Sequence, residues 1–228
     1  MIYKTLLFDL DSTLWDFPSA EHFALSQLLQ NHGVEDVESY IQVYIPLNRA
    51  MWRSLEKNEI TREELVNTRF AKLFDHFGLN LDGKDLAAEY EGILSTQGQT
   101  YEGALELLHA LQEAGYDLYA ATNGITAIQK GRMSHSTIAP FFKKVFISEE
   151  MAAAKPSVRF FEEVAENIPG FEKERAVMIG DSLTADIQGG TNFGMDTIWV
   201  NLDQKENHTD IKPTVEVRSY AELLEILL

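Results

Sequence analysis

Four short stretches carry residues able to do chemistry, and each stands at or near the end of an apolar run. The first is Asp9-Leu10-Asp11-Ser12-Thr13, directly after Thr5-Leu6-Leu7-Phe8. The others follow in order: Thr122-Asn123-Gly124, Lys155-Pro156, and Gly180-Asp181-Ser182 with Asp186. A carboxylate at a strand end can attack phosphorus and form an aspartyl-phosphate, and Asp9 is placed for that. Asp11 is placed to act as a general acid, giving a proton to a leaving oxygen and later taking one from water. Thr122-Asn123-Gly124 offers a hydroxyl and backbone N–H groups to phosphoryl oxygens. Lys155 precedes a proline, a residue favoured at the first position of a helix. That would set its ammonium beside a helix N-terminus, where both favour an anion. Asp9 and Asp181 present the hard oxygen ligands that Mg²⁺ prefers. Asp186, with Ser182 supporting the same turn, is expected to orient Lys155 or to reach the metal through water.

The charge balance asks for a cation. With Asp11 protonated, Asp9, Asp181 and Asp186 contribute three negative charges and Lys155 one positive. A phosphate dianion would not enter such a site, and Mg²⁺ would restore neutrality and keep Asp9 ionised. A D-x-D-x-T string alone arises by chance in roughly a few chains per hundred. The ordered set carries the reading.

Elements must bring these pieces together, and the sequence has two textures. Thr5 to Phe8 reads as a buried strand of a parallel sheet, apolar on both faces. Asp9 then falls at the strand's carboxyl end, where open α/β sheets hold their ligands. Two carboxylates on one face of a dry core would be very costly, so the chain is expected to leave the sheet here. From Asp16 to about Gln99 the pattern is helical only. Pro18 to Gln30 is a first helix, with Phe23, Leu25, Leu28 and Leu29 as its apolar members. Val37 to Lys57 is a second, bent or broken at Pro46. Thr61-Arg62-Glu63-Glu64 is a capping box opening a third, along which Phe70, Phe74 and Phe77 form a core stripe. Asp82 to Thr96 is a fourth.

From Tyr101 onward short strands alternate with helices. Strands are expected at Asp117–Ala121, Val145–Ile147, Ala176–Ile179, Thr197–Val200 and Thr214–Val217. Helices are expected at Glu102–Ala114, Thr126–His135, Pro156–Asn167, Thr184–Phe193 and Tyr220–Leu227. Alternation of this kind means a parallel sheet with right-handed crossovers. The fold class is therefore α/β: a Rossmann-like parallel sheet with an inserted α-helical segment. Residues 1–15 and 100–228 are expected to form the core domain and residues 16–99 the helical one.

The chain has 228 residues, 45% of them hydrophobic, and no cysteine. It therefore has no disulfide, thiolate nucleophile or cysteine zinc site. The histidines at 22, 32, 76, 109, 135 and 208 show no ligand-like pairing. Strand-forming sequence begins almost at Met1 with no basic-then-apolar leader, and no run is long enough to span a membrane. A soluble, cytoplasmic protein is expected, as a monomer or weak homodimer. The formal net charge of −17 repels nucleic-acid polymers and anionic membranes. The expected partner is a small-molecule phosphate ester.

Asp9-x-Asp11-x-Thr13, Thr122, Lys155-Pro156 and Gly180-Asp181-Ser182-x-x-x-Asp186 resemble, as an ordered set, the four motifs of the haloacid dehalogenase (HAD) superfamily. The similarity covers the whole chain, and the helical segment resembles that family's cap. It implies Asp9 as nucleophile and Asp11 as acid/base, with Thr122 and Lys155 on the phosphate; Asn123 joins them there from the turn read above. It also implies Mg²⁺ on Asp9, the Asp11 backbone carbonyl and Asp181. A finer resemblance rests on Trp52, Ile60-Thr61, Arg69-Phe70, Asn123-Gly124-Ile125-Thr126, Ile147-Ser148-Glu149-Glu150 and Trp199-Val200-Asn201. These are similar to the YjjG-type nucleoside 5′-monophosphate phosphatases. The implied activity is a Mg²⁺-dependent 5′-nucleotidase, and Arg49, Trp52 and Arg69 become the cap residues suited to a nucleoside. Met133-Ser134-His135-Ser136 departs from the leucine-rich helix end expected there, which bears on packing more than on chemistry. A phosphoglycolate or sugar-phosphate phosphatase would share the same core. A dehalogenase would need neither Asp11 nor the Asp181/Asp186 pair. A phospho-accepting signalling domain would lack the helical insert.

Overall fold

A computed structural model describes residues 2–151 and 153–228. Its centre is a six-stranded, all-parallel sheet in the order β3-β2-β1-β4-β5-β6. The strands are β1 (Thr5–Phe8), β2 (Asp117–Thr122), β3 (Val145–Ile147), β4 (Ala176–Gly180), β5 (Asp196–Val200) and β6 (Val215–Val217). β1 is flanked on both sides, with Phe8 level with Ala120 of β2 and Ile179 of β4. All four β1 residues are buried, as its uninterrupted apolar run requires. The order reverses at β1, between β2 on one side and β4 on the other. In a doubly wound sheet that switch point opens a crevice at the strands' carboxyl ends.

Helices α5 (Ala104–Glu113), α6 (Thr126–Ser134), α7 (Val158–Glu166), α8 (Gln188–Phe193) and α9 (Tyr220–Leu227) accompany the strands. One side of the sheet packs Leu6, Phe8, Leu107, Leu111 and Leu223; the other packs Leu7, Phe160, Phe161, Val164 and Met178. Each such side chain contributes about 1.5–3 kcal/mol when fully buried. The chain leaving β1 and the chain returning to α5 are pinned together. Asp16 donates its N–H to Gln99 O at 3.2 Å, and Tyr101 donates to Leu14 O at 3.0 Å.

The chain divides into two compact units, one with β1 and Gly98–Leu228, the other Pro18–Gln97. The second unit is built from α1 (Phe17–Asn31, which starts one residue before it), α2 (Val37–Glu56), α3 (Arg62–His76) and α4 (Gly83–Leu94). Thr61 caps α3, its hydroxyl accepting the Glu64 N–H at 3.1 Å. Phe70 and Phe74 are fully buried, and Phe77 stacks on Tyr40 with ring centroids 3.7 Å apart. Two expectations are corrected here. Phe23 is exposed, because the buried face of α1 runs through Ala20, Glu21, Ala24, Leu25, Leu28 and Leu29. Of the bend or break expected at Pro46, the break does not occur, and α2 continues to Glu56. Pro46 and Gln42, whose carbonyl loses the proline's missing N–H, are both exposed. Among the described residues no helix is long and apolar enough to cross a membrane.

Candidate active site

The carboxyl ends of β1, β2 and β4 hold the candidate residues. Asp9 continues β1 by one residue, its N–H donating to Ile179 O at 2.8 Å. The chain then leaves the sheet in a tight turn. Thr13, Leu14 and Trp15 all donate their N–H groups to Leu10 O, and Ser12 takes a φ of 63°. The turn separates the two carboxylates that an extended strand would have set side by side. Thr13 ties the β1 and β4 ends together: its hydroxyl accepts the Asp181 N–H at 3.0 Å and faces Asp9 Oδ2 at 3.5 Å.

Lys155 is a buried cation of the site, with its side chain 1% exposed. Its ammonium donates to Asp9 Oδ1 at 2.6 Å, Asp186 Oδ1 at 2.7 Å and Ala121 O at 2.6 Å. That uses all three of its protons. Asn123 grips the Lys155 backbone from both sides, Nδ2 donating to Lys155 O at 2.8 Å and Oδ1 accepting the Lys155 N–H at 2.9 Å. The Asn123 side chain is thus committed to holding Lys155. The expected helix start at Pro156 is a correction: α7 begins at Val158 after Ser157. Residues 154–157 instead form a turn about a cis Lys155–Pro156 bond, closed by Ser157 N–H to Ala154 O at 2.9 Å. A hydrogen-bonded turn and two carboxylates hold Lys155, in place of a proline-started helix.

Asp186 bridges two partners, Oδ1 accepting from the Lys155 ammonium at 2.7 Å and Oδ2 accepting the Ser182 N–H at 3.0 Å. Ser182 in turn accepts the Ala185 N–H at 3.1 Å. The residues after β4 form a π-helical turn, Leu183–Ile187, before α8 begins. Gly180 must be glycine, since a Cβ there would lie 2.2 Å from Asp186 Oδ2. Trp199 Nε1 donates to Asp181 O at 2.8 Å, fixing that loop to β5.

Asp9, Asp181 and Asp186 each offer a carboxylate oxygen, all within 4.8 Å of one another. Burial lifts the Asp9 carboxyl well above its ordinary range; Lys155 pulls it down, while Asp186, Asp181 and Asp11 push it up. Burial, then Asp186, pushes Asp181 up to about 7. Burial would lower the Lys155 ammonium, but Asp186 and Asp9 outweigh it and raise its pKa. Three crowded carboxylates, with Asp9 and Asp181 raised in pKa, suit a hard divalent cation.

Asp11 is held by residues the sequence reading did not single out. Gln129 Nε2 donates to Asp11 Oδ2 at 2.8 Å and to Thr122 Oγ1 at 2.8 Å. Arg132 Nη1 pairs with Asp11 Oδ1. Both donors are on α6, three residues apart and therefore on one face. The signal was present as Gln129-x-x-Arg132 shortly after Thr122-Asn123-Gly124. Arg132 is fully buried, 4.2 Å from the Trp15 ring centroid and 5.6 Å from that of Phe17. Ser136, in the segment that departs from the family pattern, accepts Trp15 Nε1–H at 2.9 Å.

Arg49, Trp52 and Arg69 belong to the helical unit. Arg49 is exposed on α2. Trp52 is half-buried with the Arg62 guanidinium 6.0 Å from its ring centroid. Arg69 is buried, which a solvated cap arginine would not be. It lies 4.9 Å and 5.1 Å from the Phe70 and Tyr90 centroids and reaches Asn48 Oδ1 at 3.5 Å. Asn48 in turn donates to Glu21 Oε1 at 2.9 Å. Tertiary stacking between α3 and α4 draws this cation inward.

Residues 3–194 match the model of the haloacid dehalogenase-like hydrolases. The chain is 56% identical over 227 residues to the pyrimidine 5′-nucleotidase PynA of Streptococcus pneumoniae, covering 100% of this chain and 96% of that one. It is 29% identical to the pyrimidine 5′-nucleotidase YjjG of Escherichia coli, covering 100% and 99%. The HAD-hydrolase YfnB of Bacillus subtilis, solved bound to magnesium, superposes with a TM-score of 0.94 at 41% identity, covering 100% and 99%.

Proposed function

The chain belongs to the haloacid dehalogenase-like hydrolases, and from that premise we propose that it is a Mg²⁺-dependent phosphatase acting on nucleoside 5′-monophosphates. The observation that carries this is the convergence of Asp9, Asp11, Thr122, Lys155 and Asp181 on adjoining strand ends. An Asp9 carboxylate oxygen attacks the phosphorus, the ester P–O bond breaks, and Asp11 gives its proton to the departing oxygen. Water then attacks the aspartyl-phosphate, Asp11 takes the water's proton, and phosphate leaves with Asp9 restored. The Thr122 hydroxyl donates to a phosphoryl oxygen, the Lys155 ammonium sets its positive charge beside Asp9 where the phosphoryl group arrives, and Asn123 fixes Lys155. Asp9, Asp181 and the Asp11 backbone carbonyl would hold Mg²⁺, which supplies charge neutralisation when bound. Asp186 keeps Lys155 aimed at Asp9.

The nucleotide assignment is supported by the likeness to PynA and YjjG, both pyrimidine 5′-nucleotidases. In this reading the helical unit acts as the cap, with Trp52 stacking a base and the exposed Arg49 serving as a donor, while the buried Arg69 holds the unit together. A panel of phosphate esters with Mg²⁺ tests it, and 5′-mononucleotides should lead phosphoglycolate and the sugar phosphates. A hexose phosphate or phosphoglycolate in first place would reject the nucleotidase assignment and leave the phosphatase chemistry standing. Substantial turnover by Asp9→Asn, or full activity after exhaustive chelation, would overturn the chemistry itself.

A further inference from the structure

We propose that Gln129 and Arg132 are positioning residues that fix the Asp11 carboxyl group and the Thr122 hydroxyl in one rigid relation. This rests on the reading of Asp11 as the acid/base. Asp11 sits on a turn with its side chain 28% exposed, so the backbone alone leaves its carboxyl free to rotate. Arg132 takes one carboxyl oxygen and Gln129 the other. A proton donor must meet the leaving oxygen at hydrogen-bond distance and in line, so restraining both oxygens restrains the delivery.

The clamp is itself rigid. Arg132 is fully buried against Trp15, and Trp15 is tied to Ser136. Gln129 is 2% exposed and spends both amide protons, one on Asp11 and one on Thr122. Thr122 Oγ1 also accepts the Gly124 N–H at 3.1 Å. Both lone pairs of that hydroxyl are then filled, and its own proton can only be donated. Gln129 therefore turns Thr122 into a dedicated donor toward an anion while holding the acid beside it. Gly124 belongs to the same device. A Cβ there would meet Gln129 side-chain atoms at 2.4–2.6 Å, so glycine is what admits the bridging amide.

Leaving-group dependence tests this. p-Nitrophenolate departs without a proton, whereas the alkoxide of a 5′-mononucleotide needs one, and kcat/KM reports the step in which that bond breaks. Gln129→Leu keeps the volume and removes both hydrogen bonds. It should cut kcat/KM by ~100-fold for the nucleotide and by ~10-fold or less for p-nitrophenyl phosphate. Arg132→Met should show the same split, and Arg132→Lys should recover part of it. Asp11→Asn, run alongside, should show the largest split. Equal losses on the two esters in Gln129→Leu, or no loss, with the split kept in Asp11→Asn, would overturn the positioning role. No split in Asp11→Asn would instead sink the acid assignment and the proposal with it. Should Arg132→Met fail to fold, Gln129→Leu decides alone, since it strips no buried charge.

Discussion

Replacing Lys155 by methionine should destabilise the metal-free protein by about 3–5 kcal/mol at neutral pH, the usual effect of removing one partner from a buried ion pair. The site explains why the value belongs at that level. The ammonium is 1% exposed and lies between Asp9 at 2.6 Å and Asp186 at 2.7 Å. Without it two buried carboxylates face each other, and one must take up a proton. Protonating a carboxylate roughly three pH units above its ordinary pKa costs about 4 kcal/mol, at 1.36 kcal/mol per unit. For a chain of this size the two routes agree on a fall in Tm on the order of 10 °C. The sign with pH follows. The variant loses the ammonium that pulls the Asp9 carboxyl down, so its pKa, already raised by burial, rises further and the folded state is penalised increasingly as pH rises toward it. The deficit should be large at pH 7.5 and shrink toward pH 5. Adding Asp186→Asn to Lys155→Met removes one charge and should recover more than half of the loss. The assay is thermal and urea unfolding in EDTA at both pH values. A single variant within ~1 kcal/mol of the parent at pH 7.5, or a deficit unchanged between the two pH values, would refute the reasoning.

Three further outcomes are expected. The Asp181 carboxyl is pushed up to about 7 by burial and by Asp186, so protons compete with the cation there. Mg²⁺ affinity should fall as pH drops below about 7, and the metal-free protein should lose stability as pH rises from about 4 through 7; calorimetric titration that finds affinity flat between pH 5.5 and 7.5 rejects the ligand role. Trp52→Ala should raise KM for a 5′-mononucleotide by ~10-fold, the scale of lost base stacking, with a smaller change for p-nitrophenyl phosphate; equal changes would remove Trp52 from base recognition. Arg69→Ala should lower unfolding free energy by about 3 kcal/mol, because the cation is packed on Phe70 and Tyr90 and bonded through Asn48; urea unfolding indistinguishable from the parent would count against a structural role.

The sequence alone was enough to determine the sheet and its chemistry-bearing ends. β1, β3 and the final helix stand where the apolar runs put them, because an uninterrupted apolar run bounded by polar residues has few ways to bury itself. Asp9, Thr122 and Asp181 were legible for the same reason: each follows or ends such a run. Local pattern could not decide what each side chain meets. Lys155 reads as a residue before a proline, and only the folded chain shows a turn that leaves its ammonium between Asp9 and Asp186. Gln129 and Arg132 read as ordinary helix polar residues until β2 beside β1 brings α6 to Asp11, more than a hundred residues away in sequence. Arg69 reads as a cap residue suited to a nucleoside, and stacking on rings from its own and a neighbouring helix buries it. Hydrophobic period is a property of neighbouring residues and survives in one dimension. Buried charge is tolerated only where partners distant in sequence converge, and that convergence exists only once the sheet has ordered its strands.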